Sequence, residues 1–202
     1  MIFSSLLIFA HLQSVLIPIL IGFKIYKRYS HIESPKLISY GFIFIGIASF
    51  FEMIDHTQTD WIYINHLSIC NWLFYSFLAS GISILVISIS KNKNLNRFNI
   101  ILISLSIIFY WIFNKSVAII FQSIISFLLI TLWWKRFRDY LIFIYPITGI
   151  LFTTLFGILL SNSGNQIWHL FIGPSGTITV LTFNYILFKS NIKETNLNLE
   201  NN

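Results

Sequence analysis

The sequence has few charged residues and almost no cysteine. Only 10% of its 202 residues are charged, and Cys70 is its single cysteine. An ordinary soluble domain carries roughly 25% charged residues, so water cannot be the main solvent of this chain. One cysteine also excludes an intramolecular disulfide and a metal site built on cysteine pairs.

Several functional motifs are missing as well. There is no Gly-rich phosphate-binding loop and no serine in a nucleophile-elbow context. The last apolar stretch, Ile167 to Phe188, contains no lysine, which a retinal-binding protein of seven helices would need there. The basic residues lie in short tracts between apolar stretches rather than on one helix face with interleaved aromatics, so we expect no nucleic acid partner.

Apolar residues are abundant and are grouped into long stretches. They make up 56% of the chain, and 21 residues are phenylalanine. A transmembrane helix needs about 20 apolar residues, with about 17 as a lower limit. The sequence predicts seven spans: Ile2 to Phe23, Leu37 to Ile54, His66 to Ser90, Phe98 to Phe113, Ser116 to Trp134, Tyr140 to Leu160, and Ile167 to Phe188.

These spans predict an all-α membrane protein, a seven-transmembrane helix bundle. Only Asn114 and Lys115 separate the fourth and fifth spans, and one helix across both would be too long for a bilayer, so we predict a tight helical hairpin there. No polar block is long enough for a second domain. We expect a membrane domain over 1–190 and a polar, Asn-rich, disordered tail over 191–202.

Lysine and arginine are concentrated in alternate loops. They lie between spans one and two, three and four, and five and six, and again after span seven. The positive-inside rule therefore predicts an outside N-terminus and a cytoplasmic C-terminus. All six tryptophans fall near predicted span ends, where indole rings favour the headgroup level. We expect a multi-pass protein of a bacterial inner membrane, with lipid as its surroundings and no indication of oligomeric state.

The polar residues gather at span ends on the predicted outer side. An ionisable side chain costs roughly 2.5 to 3.5 kcal/mol at mid-membrane, so each one requires a reason. The candidates at the end of span two, before span three and at the start of span seven are Glu52, Asp55, His56, Asp60, Asn65, His66, Asn165 and His169.

The spacing of these residues suggests a shared site. Ser49, Glu52 and His56 advance by three and then four residues, which places them on one helix face. Asn165 and His169 are also four residues apart. Two histidines from separate helices, with carboxylates nearby, are the ingredients of a zinc site with an open position for water.

A structural interpretation stands beside this one. Asp55, Asp60 and His66 can each be solvated at the membrane interface without a further role. His11, near the middle of span one, is expected to be a neutral histidine hydrogen-bonded to a neighbouring helix rather than a ligand. His31 lies in a predicted cytoplasmic loop and is expected to be exposed.

The motifs at these span ends resemble the CREST superfamily of seven-span membrane proteins, which includes alkaline ceramidases, progestin and adipoQ receptors and hemolysin-III-like proteins. The segment Asn165-Gln-Ile-Trp-His169 is similar to the span-seven motif of that family, with Asn165 where the first histidine is expected. The segment Asn65-His66 resembles its Asp-His motif at span three, with Asn65 in place of aspartate.

The end of span two resembles the same family in part. His56 matches the histidine ligand of that motif, whereas Glu52 stands where the family has serine. Two of the three zinc-binding histidines are thus present. Asparagine is a poor zinc ligand, and a carboxylate such as Glu52 is a possible replacement, since sites with two histidines and one glutamate occur in zinc hydrolases.

The resemblance implies a zinc-dependent hydrolase that acts on an amide or ester bond of a lipid. Zinc would be held by His56, His169 and Glu52, with Asn165 at the substituted position. The roles of base and of ligand orientation would fall to Asp55, Asp60, Asn65 and His66. The substitutions leave open a non-enzymatic membrane protein whose polar cluster binds a ligand or joins the helices. A transporter finds little support, because spans four to six contain no acidic residue.

Overall fold

The computed structural model describes residues 2–28, 34–57, 63–64, 67–113, 115–149 and 169–200. Its long helices are α1 (Ile2–Arg28), α2 (Pro35–Thr57), α3 (Ile69–Ile89), α4 (Lys93–Phe113), α5 (Lys115–Phe137) and α7 (His169–Glu200). A 3-10 turn (Tyr140–Phe143) leads into the short helix α6 (Ile144–Gly149), and the strands β1 (Tyr63–Ile64) and β2 (Leu67–Ser68) form an antiparallel hairpin between α2 and α3.

The helices confirm the predicted spans where they can be compared. In the described part of the chain, α1 to α5 are long and apolar enough to cross a membrane. The sixth predicted span begins as the 3-10 turn and α6, and its second half lies outside the described residues. The seventh corresponds to α7. We call the end of the bundle where α2 ends and α3 begins the outer end, following the predicted orientation, and the opposite end the inner end.

The predicted hairpin between spans four and five is confirmed. Helix α4 ends at Phe113 and α5 begins at Lys115, and the two helices pack against each other. The ring centroids of Phe109 and Phe121 lie 6.0 Å apart across this contact. The chain therefore reverses direction within a few residues, as the bilayer thickness requires.

Helix α7 is longer than the apolar stretch that predicts it. It continues through 191–200, for which the sequence predicts a disordered tail. Once a helix has formed, each added residue gains a hydrogen bond without a new nucleation step. An established helix can therefore extend into a polar stretch that has nothing to bury.

Helix α3 packs against three other long helices of the described chain. It packs against α2, α4 and α5, while α1 packs against α2 and α7. The close approach of α2 and α3 depends on two glycines: a Cβ on Gly81 would lie 2.9 Å from the carbonyl oxygen of Gly41. Small residues allow helix backbones to approach in this way, which favours van der Waals packing inside a membrane.

The outer surface of the bundle is apolar. Phe9, Leu20 and Phe127 are each more than 60% exposed, and many further large apolar side chains are exposed along the long helices. So large an apolar surface is typical of a protein surrounded by lipid. Trp133 departs from its predicted place at the membrane interface, because it is fully buried and packs edge-on against Phe183 of α7.

Candidate functional site

A group of polar side chains joins α2, α3 and α4 at the outer end. We call Glu52, Asp55, Ser68, Asn71 and Tyr110 the polar cluster. Glu52 and Asp55 lie in the last two turns of α2, Ser68 and Asn71 at the start of α3, and Tyr110 one turn before the end of α4. The helix ends therefore bring together residues that are far apart in the sequence.

Asp55 is the centre of this cluster. Its Oδ1 atom accepts a hydrogen bond from the Ser68 hydroxyl, and its Oδ2 atom accepts one from the Asn71 side-chain amide at 3.2 Å. Ser68 is also the N-cap of α3, because its Oγ atom accepts a hydrogen bond from the Asn71 backbone amide at 3.1 Å. A carboxylate beside a helix N-terminus is stabilised by the exposed amides and the helix dipole.

Tyr110 extends the network to α4. Its hydroxyl donates to the Asn71 side-chain oxygen at 3.1 Å, with the Ser68 carbonyl oxygen a further acceptor at 3.4 Å. The Trp72 indole donates to the Ile107 carbonyl at 3.2 Å and makes a second polar link between α3 and α4. Tyr110 is 3% exposed, so its hydrogen bonds lie in a weakly hydrated region.

Glu52 of the polar cluster also lies close to a histidine, one turn deeper in the bundle than Asp55. The Glu52 Oε2 atom lies 3.9 Å from Nδ1 of His11 on α1, and the two side chains are 12% and 0% exposed. His11 thus faces the neighbouring helix α2, as the sequence predicts. A histidine and a carboxylate at apolar depth are costly to place, and such groups usually have a functional role.

The second turn of α7 lies close to His11. Gly173 approaches the backbone of Ala10 so closely that an added Cβ would collide with the Ala10 carbonyl oxygen. His169 stands four residues before Gly173, and His56 stands four residues after Glu52. Helices α2 and α7 run in opposite directions here. His56 therefore lies about one helical turn, or about 6 Å, nearer the outer end than Glu52, and His169 lies the same distance nearer that end than Gly173.

The remaining predicted site residues belong to the loops beside α2 and α7 and to the ends of these helices. Asp60, Asn65, His66 and Asn165 lie outside the described residues, and the side chains of His56 and His169 are not described. Within the described chain, no three histidine, cysteine or acidic side chains form a group that could hold a metal ion. The zinc site and its ligand set stay a prediction.

Three members of the cluster were not recognised from the sequence. Ser68, Asn71 and Tyr110 are neutral, and neutral polar residues are common in membrane helices. Ser68 carried a signal that points to an N-cap, since serine stands directly before the apolar run of α3. Nothing in the local sequence identifies Asn71 or Tyr110 as its neighbours.

The cluster has the chemistry of a binding site for hydrogen-bond donors. Each carboxylate oxygen has two acceptor positions, and the two described donors to Asp55 use one on each oxygen. The side chain is therefore held in one orientation with acceptor capacity to spare. Glu52 adds a second carboxylate one turn away, which is 12% exposed.

Comparison with known proteins shows the family of the chain. A family model described as a seven transmembrane receptor matches residues 3–193, which is nearly the whole chain. No curated protein and no solved structure matches the chain significantly. The family match confirms a multi-pass membrane fold of seven transmembrane helices, including the two spans that the described helices alone do not complete.

Proposed function

The chain belongs to this family of seven transmembrane receptors, and we propose that it is a non-enzymatic receptor that binds a small polar ligand at the polar cluster. The observation that carries this proposal is the Asp55 carboxylate, held by donors from α3 at the junction of α2, α3 and α4. A ligand that bonds to Asp55 would change how three helices meet. Such a change is how a site at one end of a bundle can alter the other end.

The ligand chemistry follows from the available groups. A carboxylate is an acceptor only, so Asp55 favours a ligand with several N–H or O–H donors or with a positive charge. A hydrogen bond to a charged group contributes about 1.5 to 3 kcal/mol. We therefore propose a small amine or polyol-like molecule that reaches the outer end from the aqueous side.

The test is thermal unfolding of the detergent-purified protein with a panel of small amines and polyols. A ligand present at 100 times its Kd should stabilise the folded protein by about 2.7 kcal/mol. The stabilisation should be lost in Asp55→Asn. Asp139→Asn, which changes a carboxylate at the inner end, should keep it. Stabilisation that survives in Asp55→Asn would refute binding at the cluster.

A second candidate is the zinc-dependent lipid hydrolase that the resemblance to ceramidase-like proteins implies. It is supported by the positions of His56 and His169, each one turn beyond the contact between Glu52 and His11 and towards the same end. Bound zinc would supply a water of lowered pKa. The protein should then purify with near-stoichiometric zinc, and His56→Ala and His169→Ala should each lose it. Zinc-free protein after extraction with zinc present would exclude this candidate.

The surroundings of the receptor are also part of the proposal. The bilayer is its immediate partner, and we propose a bacterial inner membrane with the N-terminus outside and the C-terminus in the cytoplasm. Support comes from the alternation of basic loops in the sequence. A lipid substrate belongs only to the hydrolase candidate.

A further inference from the structure

A basic pocket lies at the inner end, away from the polar cluster. The end of α5, the segment that follows it and the later part of α7 enclose an open cavity of about 230 Å³. Its charged lining consists of Arg136, Arg138, Asp139 and Lys189. We call this cavity the basic pocket. Its volume is below the roughly 300 to 1,000 Å³ of pockets for drug-sized ligands, so it suits a single small group.

The one acidic side chain in the basic pocket is already engaged. Asp139 accepts a hydrogen bond from Lys189 Nζ at 2.7 Å and another from the Leu141 backbone amide at 3.1 Å. In the described chain, neither Arg136 nor Arg138 contacts a carboxylate. Two guanidinium groups are therefore available for an anion, and the carboxylate that could compete for them is held elsewhere.

Arg138 occupies a backbone position that normally belongs to glycine. Its φ is 51°, and its amide donates to the Trp134 carbonyl at 3.0 Å, as in a left-handed helix C-cap. An L-residue with a side chain costs roughly 1 to 2 kcal/mol in this conformation. The backbone conformation alone therefore favours glycine here, and an outlier of this kind is a reason to look for a role of the arginine side chain.

Aromatic side chains near the basic pocket indicate its level in the bilayer. Trp134 packs against Tyr140 with ring centroids 4.7 Å apart and the rings tilted by 50°, and Tyr140 is 76% exposed. The Arg138 guanidinium lies 6.0 Å from the Trp134 ring centroid, at the edge of the cation–π range. Exposed tryptophan and tyrosine favour the headgroup level of a bilayer. The group that enters the pocket is therefore one found at that level.

We propose that the basic pocket binds the phosphate of an anionic phospholipid headgroup between Arg136 and Arg138. Guanidinium groups recognise phosphate through paired hydrogen bonds, which a lysine ammonium cannot reproduce. The headgroup reaches the pocket at the level of Tyr140, and its acyl chains lie along the apolar outer surface of the bundle. This site is independent of the ligand at the polar cluster.

The test is native mass spectrometry of the detergent-purified full chain with phosphatidylglycerol or phosphatidylcholine added. Wild-type protein should retain one phosphatidylglycerol in preference to phosphatidylcholine. Arg136→Ala and Arg138→Gly should each weaken retention about tenfold, the loss expected for one hydrogen bond to a charged group. Arg138→Gly suits the left-handed backbone, so its effect cannot be a folding defect.

Lys135→Ala is the matched control. Lys135 lies on the same turn of α5 and carries the same charge, but it does not line the pocket. Its removal should change retention less than about twofold if binding is local rather than general attraction. An equal loss in Lys135→Ala, or equal retention of phosphatidylcholine, would overturn the proposal. So would binding of inorganic phosphate with the same variant dependence but no retained lipid, which would assign the pocket to free phosphate.

Discussion

In the described chain, the side-chain hydrogen bonds between the end of α2 and the start of α3 are made by Asp55. Ser68 and Asn71 both donate to it, and Tyr110 in turn depends on the orientation of Asn71. Hydrogen bonds between membrane helices average about 0.6 kcal/mol and reach about 1.7 kcal/mol. A charged acceptor shared by two donors should lie at or above the upper end of that range.

Asp55→Ala is therefore predicted to lower the free energy of unfolding by about 1 to 3 kcal/mol, because it leaves two donors without their acceptor. Denaturant unfolding in detergent measures this loss. Ser104→Ala is the control, since the Ser104 hydroxyl is exposed and bonds only within α4. It should change stability by less than about 0.5 kcal/mol. Equal effects of the two variants would show that the Asp55 contacts contribute little.

At this scale, the sequence identifies charged residues but not their neutral partners. Glu52 and Asp55 were recognised because a carboxylate at a span end requires an explanation. Tyr110 was missed because its role depends on how α4 is rotated against α3, which no local pattern records. The burial of His11 against a neighbouring helix was predicted, but the identity of its neighbour Glu52 required the structure.

At the scale of the helices, the sequence predicts where the helices lie in the chain but not how they contact each other. Hydropathy predicted α1 to α5, but α4 begins at Lys93, five residues before its predicted start at Phe98. Hydropathy reports where lipid begins, whereas a helix can continue into the polar interface. The contact of Gly41 with Gly81 was not predictable, because other glycines look the same in the sequence, and a Cβ added to Gly176 would meet nothing within 4 Å.

Gly81→Ala should destabilise the bundle by about 1 to 3 kcal/mol, because its Cβ would lie 2.9 Å from the Gly41 carbonyl oxygen and force α2 and α3 apart. Thermal unfolding in detergent measures this change. In Gly176→Ala the new Cβ meets open space, so the better helix propensity of alanine should stabilise α7 by up to about 1 kcal/mol. If both variants behave alike, the close approach of α2 and α3 is not a determinant of stability.

At the scale of the whole molecule, the seven-span fold followed from composition and is confirmed by the family match. The orientation stays a prediction that follows from the basic loops. Of two reporters fused after Lys193, one that is active only in the cytoplasm and one that is active only in the periplasm, only the first should show activity. As a control, the same reporter fused after Ser34, between α1 and α2, should report the cytoplasm as well. Activity of the periplasmic form after Lys193 would invert the assignment of outer and inner ends.

The central claim is that the outer ends of the helices form one site, and the sequence predicts that this site includes the start of α7 beside the end of α2. Cadmium-dependent cross-linking of His56→Cys with His169→Cys, after replacement of Cys70 by alanine, tests it most directly. Metal bonds of about 2 Å require the two side chains to meet. Asp55→Cys with Ser68→Cys is the positive control, since the short side chains of Asp55 and Ser68 are hydrogen-bonded to each other. We expect both pairs to form a cadmium bridge that a chelator reverses. A bridge in the control pair alone would contradict the convergence of α2 and α7.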